Sequence, residues 1–218
     1  MKTFMGFRSV ASWLPFSKAA PMALMLSTLL FWGGNATAQT IDGPPFAAPS
    51  TLPAELQVML DEHNIDRDKH CTAALTWSEK LEADALAQVR ACNFNHNSAE
   101  LNRLGEGENL AWGNGAFATA KSTIDSWYNE IRNYNFNAPV YVGFPPSIAN
   151  GHFTQVVWAG STQLGCAHSA TNACHNLGVA YTLWSCRYAP PGNINVAPPA
   201  TAAQALESLQ ANVARLCR

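Results

Sequence analysis

The chain has 218 residues, of which 48% are hydrophobic, and its formal net charge is −2 at pH 7. A charge this close to zero provides no basic surface for a phosphate backbone, so nucleic acid is not an expected partner. The length fits one domain of ordinary size behind an export signal, with enough residues for a hydrophobic core.

The first 38 residues have the features of a secretory signal peptide. Three basic residues occur among the first 18, an apolar run extends from Pro21 to Trp32, and Ala36-Thr37-Ala38 is a small-residue cleavage site. The apolar run is too short for a stable membrane span, and an uncleaved anchor is the alternative. The sequence therefore predicts an exported protein, extracellular or periplasmic, with no stable membrane span.

The first half of the remaining chain has helical patterns. Residues 39–52 are rich in Pro, Ala and Ser and are predicted to be a flexible lead-in. A helix is predicted from Pro53 to about Arg67, and a second begins after Ser78, a suitable N-cap. A third is predicted from about Phe117 to Ile131, with Glu130 at the rim of its apolar face. The stripe of the second helix consists of Leu81, Ala85, Val89 and Cys92.

The second half has strand patterns. Residues 133–150 are predicted to form a loop, and strands are predicted over 152–158, 163–168 and 177–188. Their close spacing favours antiparallel pairing. Pro198-Pro199 marks a hinge, and 202–216 are predicted to form a short tail helix. Helices followed by strands predict an α+β fold with an antiparallel sheet covered by helices.

Six cysteines follow the signal, namely Cys71, Cys92, Cys166, Cys174, Cys186 and Cys217. An even number in an exported chain predicts disulfides rather than thiol chemistry. Fifteen pairings are open on the sequence alone. Cys217 is expected to attach the tail to the domain, with Cys71 as a candidate partner.

Four ordered segments of the chain have the form of sequence motifs. They are the helix motif His63-Asn64-Ile65-Asp66-Arg67, the turn Gly107-Glu108-Asn109-Leu110, the stretch Gly151 to Trp158, and Cys186-Arg187-Tyr188-Ala189-Pro190-Pro191-Gly192-Asn193. Together they resemble the CAP superfamily of cysteine-rich secretory proteins, antigen five and plant pathogenesis-related protein one. The likeness covers residues 53–195, followed by a Pro/Ala hinge and tail over 196–218. The resemblance implies a three-layer α-β-α sandwich with a central antiparallel sheet.

The resemblance also implies a site and two disulfides. Cys92 is expected to pair with Cys174, and Cys166 with Cys186. His96, Glu108, Glu130 and His152 are expected to converge in one cleft, where the two imidazoles hold a divalent cation, commonly zinc, weakly and reversibly. The glutamates are expected to orient the imidazoles through their other N–H groups. The alternative is a purely structural His–Glu network that ties helices to sheet.

The segment from Tyr134 to Tyr141 resembles the aromatic, caveolin-binding-like loop of sterol-binding family members. Tyr134, Phe136 and Tyr141 are therefore candidate residues for binding a small hydrophobic ligand, such as a sterol or a fatty acid. The alternative is that these aromatic side chains anchor the loop to the core.

Three functions remain open at this point. The first is a secreted protein that binds a hydrophobic ligand and a divalent cation. The second is a metal-assisted hydrolase or protease, in which Glu108 and Glu130 would be the acid and base. This function is weaker because the sequence has neither an HExxH nor a GxSxG motif. The third is a signalling or host-interaction protein that acts through its surface.

Overall fold

The computed structural model describes residues 51–143, 147–197 and 199–217. The predicted signal peptide over 1–38 and residues 39–50 of the predicted lead-in lie outside this part of the chain. The described helices are α1 (Ala54–Lys69), α2 (Glu79–Arg90), α3 (Ser98–Leu104), α4 (Ala120–Tyr128), α5 (Gly151–Val156) and α6 (Ala202–Asn212), with 3₁₀ turns at Gly115–Ala118 and Asn129–Asn133. The described strands are β1 (Thr76–Trp77), β2 (Gly107–Gly113), β3 (Gln163–His168) and β4 (Thr182–Ala189).

The four strands form one sheet in the order β1-β3-β4-β2. The β2–β4 and β3–β4 pairs are antiparallel, whereas β1 is parallel to β3. The α+β fold is thus confirmed, but the sheet is mixed rather than wholly antiparallel. The parallel strand is a two-residue edge piece that enters after α1 and leads directly into α2, too short for its direction to be predicted from a pattern.

Helices cover both faces of the sheet. Helix α2 packs on β3 and β4 from one side, whereas α1, α4 and α5 pack together on the other. Alternate residues of β4 enter the two cores, as the two-residue period of a strand requires. Leu183 packs with Ala85 and Val89 of α2. Trp184 and Tyr188 pack in the larger cluster with α1, α4 and α5.

The predicted strand over 152–158 is wrong, because residues Gly151–Val156 form helix α5. A short apolar run fits either structure, and here the buried side chains of Phe153, Val156 and Val157 have the helical spacing of three and four. The backbone N–H groups at the start of α5 are also satisfied by a side chain from elsewhere in the chain, Glu130. That interaction cannot be seen in the local sequence.

Other boundaries also differ from the prediction. Residues 107–113, expected to contain a turn, form β2, and β4 begins at Thr182 rather than 177. The predicted third helix is divided between α4 and its two 3₁₀ turns, and the tail helix ends at Asn212. The N-cap at Ser78 is as predicted, since its side chain accepts a hydrogen bond from Leu81 N.

Disulfides join Cys92 with Cys174, Cys166 with Cys186, and Cys71 with Cys217. Cys166–Cys186 links neighbouring positions of β3 and β4. Cys92–Cys174 attaches the segment after α2 to the segment before β4. Cys71–Cys217 attaches the tail to the end of α1.

One buried guanidinium connects α1 to the segment that follows α5. Arg67 donates to the backbone carbonyls of Ala73, Val156, Trp158 and Ser161 at 2.7–3.0 Å. Burial lowers the pKa of Arg67 to about 10, which still leaves it charged at neutral pH. Backbone carbonyl oxygens after α1 and at the end of α5 and beyond it thus accept hydrogen bonds from one side chain of α1.

Replacement of Arg67 by Met should destabilise the fold by about 3–5 kcal/mol, because three buried carbonyl oxygens and one partly buried carbonyl oxygen lose their donor. Urea unfolding followed by circular dichroism measures this change. The matched control is Arg103→Met on the exposed face of α3, which should alter the free energy of unfolding by less than about 0.5 kcal/mol. Equal effects of the two substitutions would contradict the role given to Arg67.

Candidate functional site

Glu130 orients His152. It lies in the 3₁₀ turn after α4, and its Oε2 accepts hydrogen bonds from the backbone N–H of His152 at 2.9 Å and of Phe153 at 3.3 Å. Its Oε1 lies 2.7 Å from His152 Nδ1. The same carboxylate therefore caps the start of α5 and fixes the orientation of the His152 ring. The ring of His152 also stacks on Trp127 of α4, with centroids 6.1 Å apart.

Glu108 orients His96 in the same way, from a different element. Its side chain on β2 is fully buried, and Oε1 lies 2.9 Å from His96 Nδ1. Oε2 accepts from Ser185 Oγ at 3.2 Å and lies 2.9 Å from Arg187 Nε. Ser185 and Arg187 are both on β4, and Arg187 is directly opposite Glu108 in the strand pair. The sheet register therefore determines the position of this carboxylate.

Arg187 is itself held between two buried carboxylates. Its Nη1 lies 3.3 Å from Glu106 Oε2, and Glu106 also binds Lys80 on α2. Lys80 also pairs with Asp84, so this network joins two basic groups to three acidic groups before His96 is counted. Buried charges are tolerated when they are paired in this way. Sequence reasoning missed Arg187, because the pairing of β2 with β4 cannot be read from either strand alone.

The two imidazoles face a shared hollow of about 110 Å³. A cleft of about 540 Å³ adjoins it and shares His96 as a wall. The side chains of His96 and His152 are 49% and 32% exposed, so both rings reach solvent. The hollow is lined by His96, Glu108, Asn109, Tyr141, Gly143, Gly151, His152 and Asn193.

The hydrogen bonds of both rings to their glutamates are made through Nδ1. When Nδ1 carries the proton and donates to a carboxylate, the lone pair of Nε2 is free to bind another group. The arrangement thus presents two imidazole nitrogens, each oriented by an anchored carboxylate.

The four predicted site residues, the two histidines and the two glutamates, fall inside a stretch that matches a known family model. Residues 60–188 match the model described as CAP: Cysteine-rich secretory protein family. The chain belongs to the CAP family.

Curated CAP relatives include pathogenesis-related proteins of fungi and plants. A probable pathogenesis-related protein of Arthroderma benhamiae is 36% identical over 155 aligned positions, and the match covers 63% of this chain and 47% of that protein. Pathogenesis-related protein 1C of Nicotiana tabacum is 37% identical over 142 aligned positions, and the match covers 63% of this chain and 76% of the relative. The chain thus spans about half the length of the fungal relative and about three quarters of the tobacco protein.

Solved structures share the CAP fold. The crystal structure of NaASP2 with Zn²⁺ matches with a TM-score of 0.53 and 24% identity, over 64% of this chain and 81% of that one. The structure of Schistosoma mansoni venom allergen-like protein 4 matches with a TM-score of 0.51 and 23% identity, over 64% of this chain and 90% of that one.

The four predicted site residues occupy different positions around the hollow. His96, Glu108 and His152 line it, whereas Glu130 lies behind His152 and lines a separate surface cavity. Within residues 51–143, 147–197 and 199–217, no three His, Cys, Asp or Glu side chains are grouped to hold a metal ion.

The predicted trio of ligand-binding aromatics is divided between two places. Tyr141 lines the histidine hollow, where burial and the charge of Glu130 raise its pKa. Tyr134 is buried in the core, 4.9 Å from the ring of Phe136 and 5.5 Å from that of Phe153. The aromatic loop, residues 134–141, is thus anchored to the core in part, as the alternative interpretation expects.

A separate cavity of about 410 Å³ lies where the aromatic loop meets the tail. Its lining residues include Tyr134, Phe136, Val213 and Arg215.

None of the helices in the described part of the chain is long and apolar enough to cross a membrane.

A buried relay connects α1 to the back of the hollow. Asn109 Nδ2 donates to the His152 carbonyl and to the Tyr188 hydroxyl, both at 3.1 Å. Tyr188 in turn lies 2.8 Å from His63 Nε2, and His63 Nδ1 lies 2.7 Å from the Met59 carbonyl. All four of the recognised motifs thus meet in one network. Complete burial lowers the pKa of His63 to about 4, so the ring is neutral.

The free energy of unfolding should fall with acid because of His63. Its pKa is about 4 in the folded protein, against 6.5 in an unfolded chain, so the unfolded state binds a proton first. The contribution is complete above pH 6.5 and is lost between pH 6.5 and 4, about 3 kcal/mol in all.

Urea unfolding at several pH values between 7.5 and 4 should therefore show a shallower pH dependence for His63→Gln than for the unsubstituted protein. His175→Gln, at an exposed position, should keep the original dependence. Parallel curves for the His63 variant and the unsubstituted protein would contradict this assignment.

Proposed function

We propose that this CAP protein binds a divalent cation between His96 and His152. The supporting observation is that each imidazole is hydrogen-bonded through Nδ1 to an anchored carboxylate, while both rings line one hollow. Two rings held in this way need little reorganisation to present two nitrogens to one ion, which lowers the entropic cost of binding.

The donor set favours zinc or a similar transition metal ion. Imidazole nitrogen suits zinc, copper and nickel, whereas magnesium and calcium prefer carboxylate and carbonyl oxygens. Glu108 and Glu130 orient the rings from behind and do not themselves need to bind the ion. With two protein ligands, binding is weak and reversible compared with a three-ligand catalytic zinc site. A protein of the same fold has been crystallised with Zn²⁺, which also supports this choice.

The export of the protein is part of the proposal. Members of the CAP family are secreted, and three disulfides fit an oxidising compartment. The basic residues near the start of the chain and the small-residue cleavage site are consistent with secretion into an oxidising compartment. An extracellular or periplasmic protein would encounter zinc or copper outside the cytosol.

Isothermal titration with Zn²⁺ should show one weak site per chain. Either His96→Ala or His152→Ala should reduce the affinity at least tenfold, because one of two ligands is lost. Glu130→Gln should reduce it about 10–100-fold, since a neutral amide has only one acceptor oxygen for the backbone N–H and the ring Nδ1 of His152, where the carboxylate has two.

His175→Ala is the matched control for the zinc titration, because His175 is exposed and lies outside the hollow. It should bind Zn²⁺ as the unsubstituted protein does. Zinc binding that survives the double replacement of His96 and His152 would exclude this site.

A small hydrophobic ligand, a sterol or a fatty acid, is the second part of the proposal. It is supported by the 410 Å³ cavity beside the aromatic loop, where the partly buried Phe136 and Val213 are lining residues. The polar side chains of Asn137, Gln210 and Arg215 complete much of the lining. An aromatic surface next to an aliphatic side chain suits a flat apolar ring system or an alkyl chain. Tyr141 lines the histidine hollow and does not line this cavity.

A fluorescent sterol should bind the purified protein, and Phe136→Ala should weaken its binding about fivefold to tenfold, since a partly buried aromatic contact is lost. Trp112→Ala is the control, because Trp112 is a partly exposed aromatic residue on β2 that packs against Tyr181 instead. Fluorescence titration measures both. Equal losses in the two variants would mean that the probe adsorbs without using this cavity.

A further inference from the structure

The tail crosses the aromatic loop and is held there by specific contacts. We call residues 199–217 the C-terminal arm. Arg215 Nη2 donates to the Phe136 carbonyl at 2.9 Å and to Asn137 Oδ1 at 2.7 Å. Its guanidinium lies over the ring of Phe136, 5.7 Å from the centroid. The outer face of the aromatic loop is therefore covered by the chain's own last residues.

The arm is fixed next to this contact by the end of α1. The disulfide Cys71–Cys217 joins them, and Cys217 N donates to the Lys69 carbonyl at 2.9 Å. His70 Nδ1 lies 2.6 Å from the Ala214 carbonyl, and the ring of His70 is stacked on that of Phe136. Burial lowers the pKa of His70, so the ring is neutral and Nδ1–H can donate to this carbonyl.

Few apolar side chains hold the arm without the disulfide. Among residues 199–217, only Leu209 and Val213 are buried. Asn212 adds two hydrogen bonds, from Ala159 N to its carbonyl and from Gly160 N to its Oδ1. Two buried side chains and a few exposed hydrogen bonds are little to offset the conformational entropy of a segment of this length. The disulfide therefore makes a large contribution to keeping the arm in place.

This disulfide is also the one most open to a reductant. Cys71 and Cys217 are both exposed, whereas Cys166, Cys174 and Cys186 are completely buried. Disulfide exchange requires a thiolate to reach a sulfur atom, so access decides which bond reacts first. A mild reductant should open Cys71–Cys217 while the two bonds within the domain remain closed.

We propose that the C-terminal arm is a reducible cover for the aromatic loop, kept closed by Cys71–Cys217. This inference rests on the proposed binding of a hydrophobic ligand beside Phe136. With the disulfide closed, the arm forms one wall of the 410 Å³ cavity and Arg215 lies over the ring of Phe136, so a ligand has only the space between arm and loop. With it open, the arm leaves and a flat apolar molecule can reach the whole aromatic loop.

The opening step consumes one equivalent of a dithiol. A thiolate of the dithiol attacks one sulfur, the S–S bond breaks, and the other cysteine leaves as a thiolate that takes up a proton. The second thiolate of the dithiol then displaces the first cysteine, which is protonated in turn. Two electrons pass to the protein, and the dithiol becomes its own disulfide.

The test compares the full chain with its Cys71→Ser, Cys217→Ser variant, and with the unsubstituted protein after mild dithiol treatment and alkylation. Mass spectrometry identifies which cysteines have been alkylated. Hydrogen exchange then reports the protection of residues 202–214 and 134–141, and titration with a fluorescent sterol reports the affinity. Glu207→Gln, at an exposed position of α6, is the control with an intact disulfide.

The expected result is alkylation at Cys71 and Cys217 before any other cysteine, faster exchange in both segments, and sterol affinity at least fivefold higher than with the disulfide closed. Unchanged exchange after opening would overturn the proposal. Faster exchange with equal sterol affinity in both forms would show that the arm moves but does not limit binding at the aromatic loop, and would also overturn it. Faster exchange with no sterol binding in any form would instead reject the hydrophobic-ligand function and confirm that the arm is releasable.

Discussion

The candidate site depends on two carboxylates that the fold holds in place from behind. Glu130 accepts the first N–H groups of α5, and Glu108 is fixed by Ser185 and Arg187 on the neighbouring strand. A carboxylate with such partners has little freedom to turn, so the imidazole bound to it is fixed as well. The direction of each Nε2 is therefore a property of the whole fold, rather than of the loop or short helix that carries the ring.

The framework behind the hollow is polar but paired. The buried groups of His63, Asn109 and Tyr188 bond to one another, and Arg67 satisfies carbonyls in the segment after α5. Buried polar networks stabilise one arrangement when every member has a partner and are costly otherwise. Helix α1, which does not line the hollow, thus determines the positions of residues that do. These hydrogen bonds explain why motifs that are distant along the chain lie close together in space.

The sequence predicted the elements whose signals are local. The N-cap at Ser78 and the stripe of α2 as far as Val89 follow from side chains within one or two turns, whereas Cys92 lies beyond the end of the helix. Strand β3 has the predicted bounds. Helix α5 could not be predicted, because its start is capped by Glu130 from another element. The roles of Arg187 and Arg215 depend on strand register and on the path of the tail, which are long-range properties. For the site, the resemblance to the CAP family indicated four residues, while the structure shows that Glu130 supports His152 from outside the hollow.

The most direct test of the two-imidazole site is the protonation of the rings themselves. In protein labelled with ¹⁵N at histidine, long-range ¹H–¹⁵N spectra distinguish the two ring nitrogens of each residue. At a pH where both rings are neutral, His96 and His152 should carry the proton on Nδ1, and one equivalent of Zn²⁺ should shift both Nε2 resonances together. A proton on Nε2 in either ring, or a zinc-dependent shift confined to one of them, would contradict the account.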